Sequence, residues 1–200
     1  MISRDGRRTS FVEPTLRRSV ATVGLLNLGY FFVEFSVALT IGSVSLFADS
    51  ADFFEDASVN FLIFIALAWS AKQRSCVGMV LAGVLLLPAL AFLWALWGKI
   101  NAPIPPSSIP LGLTGIGALI INVSCALMLS RFRASGGSLL KAAFLSARND
   151  VLANIAIIVA SLVTALHASV WPDVIVGIGI AFLNIDAAKE VWTAARDEQN

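Results

Sequence analysis

Residues 41–71 read IGSVSLFADSADFFEDASVNFLIFIALAWSA. The run is long enough to cross a bilayer, which takes about 20 mainly apolar residues. Yet Asp49, Asp52 and Asp56 lie inside it. On insertion scales an aspartate near the centre of a membrane helix costs about 2.5–3.5 kcal/mol, so three cost roughly 8–10 kcal/mol if nothing compensates. Compensation means a partner charge, a proton, water or a ligand. For three acids in one apolar span the obvious ligand is a cation.

The rest of the chain supports a membrane reading. Its 200 residues are 58% hydrophobic and 14% charged, against about 25% charged in soluble domains. The net charge of +1 selects no partner, and no nucleic-acid partner is expected. Cys76 and Cys125 fall in apolar segments with no metal-type spacing, and they read as small apolar filler.

The sequence predicts an all-α membrane protein, a six-transmembrane-helix bundle. The spans fall at about 19–41, 44–70, 76–98, 110–131, 139–165 and 170–193. The expected organisation is a basic tail over 1–18, the six-helix unit over 19–195 and a short tail over 196–200. Asn27 and Glu34 interrupt the first span, which therefore does not read as a cleaved signal peptide. The proline-rich stretch from Asn101 to Ser108 is an extended loop, and Pro172 sits in the first turn of span 6.

Arg4, Arg7, Arg8, Arg17 and Arg18 precede span 1. Lys72 and Arg74 follow span 2, Arg131, Arg133 and Lys141 lie between spans 4 and 5, and Lys189 and Arg196 end the chain. Only Lys99 lies on the other side. The positive-inside rule then puts both termini in the cytoplasm of a multi-pass protein, with the bacterial inner membrane as the expected location. Trp69 and Trp192 would mark the inner interface, and Trp97 and Trp171 the outer one.

Asp49, Asp52, Asp56 and Asn60 follow one another at intervals of 3, 4 and 4, which is one helical stripe. Ser146, Asp150 and Asn154 form a second stripe in span 5, and Asn27, Tyr30 and Glu34 a third in span 1. Asp52-x3-Asp56-x3-Asn60 is echoed by Ser146-x3-Asp150-x3-Asn154. Two antiparallel helices can each present an i, i+4 pair to the other and surround one ion. Membrane Asn and Ser side chains also serve simply as hydrogen-bonding glue between helices, and that reading stands beside the functional one for Asn60, Asn122, Asn154 and Ser124. Asp49, about two turns from Asp56, either lines an entry or supports the ligands. Asn27 and Glu34 either pack helices or line the same polar cavity. His167 reads as a solvated loop residue.

The segment GSVSLFADSADFFEDASVN resembles the second membrane helix of the cation diffusion facilitator family, and LSARNDVLANIAIIVASL resembles its fifth. Asn27 to Glu34 and WPDVIVGIGIAF are similar to its first and sixth helices. The resemblance covers the membrane part, residues 19 to about 195, without the soluble domain that usually follows in the family. It implies proton-driven export of a divalent metal, Zn²⁺ by preference, with Co²⁺, Cd²⁺, Mn²⁺ and Fe²⁺ as alternatives. It implies no prosthetic group, and it leaves a homodimer open. Asp52 and Asp56 match the helix 2 ligand pair and Asp150 the helix 5 aspartate. Ser146 stands where the family carries histidine or aspartate, so Ser146, Asn149 or a water would complete the shell. Oxygen donors without His or Cys suit harder cations such as Mn²⁺, although Zn²⁺ accepts carboxylates. Two other classes stay open: a metal-sensing membrane subunit that moves nothing, and an intramembrane enzyme using paired aspartates.

Overall fold

The structure is a computed structural model that describes residues 5–66, 90–132 and 137–183. The expectations placed on Arg4, Trp69, Lys72, Arg74, Cys76, Arg133, Lys189, Trp192 and Arg196 lie outside the described residues. Within them the chain is all-helical. Six helices are seen: α1 (Asp5–Ile41), α2 (Val44–Ala66), α3 (described over 90–101), α4 (Ser108–Ser130), α5 (Gly137–Leu166) and α6 (described over Trp171–Leu183). β-Branched and aromatic runs that would favour strands in water form helices here, because in lipid every backbone polar group must be satisfied within its own segment.

Among the described residues three apolar helical segments are long enough to cross a bilayer: Thr15–Ile41, Ser108–Ser130 and Ser146–Leu166. α2 has the length, 23 residues, but carries Asp49, Asp52, Glu55 and Asp56. α1 begins at Asp5, so the helix already runs through the stretch expected as a basic tail. The apolar part alone marks the span.

α1, α2, α5 and α4 form a closed ring, with α1 against α2, α2 against α5, α5 against α4 and α4 against α1. The molecule is inside-out relative to a soluble bundle. Leu25, Phe32, Leu39, Leu113, Leu152 and Leu162 point outward, while Asn27, Glu34, Asp49, Asn60, Asn122 and Asn154 are at most 2% exposed. Two apolar clusters flank the polar interior. One apolar cluster joins Ala38, Val44, Phe47, Phe92, Ile157 and Val174; the other joins Val20, Val23, Ile63, Leu129 and Ala147. On α1, α2 and α5 the polar residues lie between them in sequence.

Small residues set how closely the helices approach. α4 buries Gly115, Ala118, Asn122 and Cys125. A β-carbon on Gly115 would stand 3.0 Å from Ile157, so α4 and α5 meet nearly backbone to side chain, as small residues allow in membranes.

The α1–α2 turn is only two residues long. Gly42 takes φ +62° and the Ser43 N–H donates to the Ala38 carbonyl (3.2 Å), the bonding of a Schellman C-cap. Ser43 then caps α2, its Oγ accepting from the Leu46 N–H (3.2 Å).

The remaining donors of that first turn are met from α6. Asp173 accepts from the Val44 N–H (2.8 Å), the Ser45 N–H (3.1 Å) and the hydroxyls of Ser43 and Ser45 (both 2.6 Å). A carboxylate at a helix N-terminus also meets the favourable end of its dipole. Gly177 lets α6 approach this closely, since a β-carbon there would come within 2.9 Å of Val44 and Ser45 backbone atoms. Asp173 was not among the site residues read from the sequence. Its only signal there is an aspartate directly after Trp171-Pro172 in an apolar span, paired with a distant Ser-x-Ser.

Candidate cation site

The polar interior has two tiers. Asn27 and Glu34 are seven residues apart on α1, and Asp49 and Asp56 are seven apart on the antiparallel α2. Seven residues of helix rise about 10 Å, so the two helices repeat the same vertical spacing.

The first tier centres on Asp56, which is 7% exposed. Asn27 Nδ2 on α1 donates to its Oδ2 (3.5 Å). Ser146 Oγ on α5 donates to its Oδ1 (3.0 Å). The Asp150 carboxyl interacts directly with that of Asp56. Asn60 Nδ2 turns back to the Asp56 main-chain carbonyl (2.8 Å) and leaves its own Oδ1 without a partner. Cys125 Sγ makes a weak bond to Asn27 Oδ1 (3.6 Å). Three helices thus converge on one carboxylate, and the groups come from the span 1, span 2 and span 5 stripes.

Asp52 lies between the tiers, 8% exposed, and its nearest charges are Asp150, Asp49, Glu55 and Asp56. Glu55 is partly buried and acts on both Asp52 and Asp150. The sequence reading passed over it because it falls off the Asp stripe, although it is a fourth acid in the same span. Among the described residues no three His, Cys, Asp or Glu side chains converge as a ligand set. The acids are gathered but stand as neighbours and not as a closed shell.

The second tier joins all four ring helices. Asn122 Nδ2 on α4 donates to Asn154 Oδ1 on α5 (3.0 Å), and Asn154 Nδ2 donates to Asp49 Oδ2 on α2 (2.7 Å). The Asp49 carboxyl in turn meets that of Glu34 on α1. Tyr30, on the same α1 stripe, gives its hydroxyl to the Thr114 carbonyl (2.6 Å).

Asn149 is not in the site. It is exposed, and its Oδ1 accepts from Arg148 Nη2 (3.4 Å). At 100° per residue it lies 100° round α5 from Asp150. The buried face is set by Ala143, Ala147, Asp150, Asn154 and Ile157; Ser146 sits at its edge and Asn149 beyond it. His167 is exposed at the end of α5, and Arg148 is exposed as well.

A family described as the cation efflux transmembrane domain matches residues 20–197. No curated protein matches the sequence. Members of that family are transporters and not enzymes, so the intramembrane-enzyme reading is set aside. The match runs through all six helices and both tiers, and the chain belongs to the cation efflux family, multi-pass membrane proteins that carry metal cations across the bilayer.

Proposed function

We propose that this chain exports a divalent metal of the Zn²⁺ type from the cytoplasm in exchange for protons, binding it at Asp52, Asp56, Asp150 and Ser146. The observation that carries the reading is the convergence on Asp56: Asn27, Ser146 and Asp150 approach its carboxyl from two other helices in a buried place. Asp56 and Asp150 supply the first oxygens and Ser146 a hydroxyl. Asp52, one turn away on α2, closes the shell by turning toward the pair. Asn27 orients Asp56, and Asn154 holds α2, α4 and α5 in register.

Divalent metals take oxygen ligands at about 2.0–2.6 Å, a shell that requires Asp52 to turn toward Asp56 and Asp150. Metal binding and protonation oppose each other in a cluster of acids, so a proton arriving in the cluster favours metal release. With oxygen donors alone the site suits Mn²⁺ better than a histidine-bearing one would, and Co²⁺, Cd²⁺ and Fe²⁺ are further cargoes to test beside Zn²⁺. The positive-inside bias places both termini in the cytoplasm. Arg17 fits that placement, its guanidinium lying 4.6 Å over the Phe64 ring at the same end of the bundle.

Flux into sealed proteoliposomes, run across the metal panel, tests the reading. A transporter moves at least one of these metals and moves it faster against an opposing proton gradient. A sensor binds metal without flux, and that result would replace this reading.

A further inference from the structure

Both oxygens of Glu34 and the Oδ1 of Asp49 have no hydrogen-bond partner, and both side chains are fully buried. Two adjacent buried carboxylates, each with an empty acceptor, are costly. A single proton shared between them joins one Glu34 oxygen to Asp49 Oδ1 and removes one of the two buried charges. The amide chain fixes where that proton sits. Asn122 donates to Asn154, which donates to Asp49 Oδ2, so Asp49 is held as an acceptor. Glu34, with no donor offered to it, is then the acid, giving its proton to Asp49 Oδ1.

We infer that Glu34 and Asp49 form a proton site apart from the metal ligands, and that its proton is the one exchanged for metal. This deepens the proton-exchange reading above and rests on it. The titratable groups facing the pair are few. Tyr30 on α1 is committed to the Thr114 carbonyl. Asp52 and Asp56 on α2 act on the pair from below, and Asp150 on α5 acts on Asp49. α4 contributes Asn122 and Thr114, which do not titrate. Among the described residues the charged groups acting on Glu34 and Asp49 are therefore all acids, so a proton or a cation in the first tier is what can neutralise them. A divalent ion arriving at Asp52, Asp56 and Asp150 brings positive charge within about one to two turns of Asp49 through a poorly screened interior. It favours the ionised pair and expels the proton, and proton return disfavours the metal.

Glu34→Gln keeps the shape and removes the exchangeable proton. In proteoliposomes loaded with Zn²⁺ or Mn²⁺ the variant should still carry metal down its own gradient, binding it more weakly than the wild type because the pair keeps the charge of its protonated form. It should lose the acceleration that an opposing proton gradient gives the wild type. Acceleration retained in Glu34→Gln overturns the inference while leaving proton exchange intact. A wild type indifferent to the gradient overturns the proton-exchange reading itself. The proton is also visible without a variant. Infrared spectra of the wild type should show a deuterium-sensitive carboxylic-acid band that moves on carbon-13 labelling of glutamate. Its absence overturns the inference, even if Glu34→Gln fails to fold.

Discussion

Asp173→Ala removes the acceptor on α6 that, among the described residues, serves the first turn of α2. Four donors lose it: two main-chain N–H groups and two hydroxyls, at 2.6–3.1 Å. The hydroxyls can fall back on each other, since Ser43 Oγ and Ser45 Oγ already stand 3.2 Å apart. The N–H groups of Val44 and Ser45 cannot. A buried donor left without a partner costs about 1–3 kcal/mol. Some of that returns because a buried carboxylate no longer has to be desolvated. The net expected loss is roughly 3 kcal/mol for Ala. Asp173→Asn keeps one oxygen for the helix end, and its loss should be about 1–2 kcal/mol. Reversible unfolding in mixed micelles, followed by tryptophan fluorescence and far-UV circular dichroism, measures both. The order wild type, Asn, Ala is the prediction. An Ala variant within about 0.5 kcal/mol of wild type, the range of an ordinary surface change, would refute the assigned role of Asp173.

Asp56→Asn should abolish metal flux while folding is preserved, because loss of a buried charge eases insertion; expression and thermal melting check the fold. Ser146→His should shift preference toward Zn²⁺ over Mn²⁺, since imidazole suits zinc better than hard cations, and competition flux between the two metals reads this directly. Gly42→Ala should destabilise by about 1–2 kcal/mol, the cost of a left-handed conformation with a side chain, measured by the same unfolding assay. Gly115→Val should part α4 from α5, because its β-carbon alone meets Ile157 at 3.0 Å, and should appear as lost stability.

The helices were legible because a bilayer demands long apolar runs, and the break at Gly42-Ser43 separated the first two correctly. The polar stripes were legible for a related reason. Asp56, Ser146 and Asp150 stand out against apolar neighbours, and their 3–4 spacing survives folding as one face. Asp173 was not legible as a cap because its partners lie 128–130 residues away; only tertiary packing of α6 on α2 brings them together. Asn149 was misplaced because i, i+3 neighbours share a face only approximately. Which residues of α5 meet α2 and α4 puts Ala147, Asp150 and Asn154 on the buried face, Ser146 at its edge and Asn149 outside it. The second tier was seen as residues but not as a chain, since nothing in the order of Asn122, Asn154, Asp49 and Glu34 shows who donates to whom.

Anomalous diffraction from crystals soaked in Zn²⁺ or Mn²⁺ tests the shared site most directly. The expected result is one intramembrane peak per chain between the Asp56 and Asp150 carboxyls, with Asp52 turned toward it and Ser146 Oγ in contact. A peak that ignores Asp56 and Asp150, or an intramembrane region without any peak in protein that carries the metal, would contradict it.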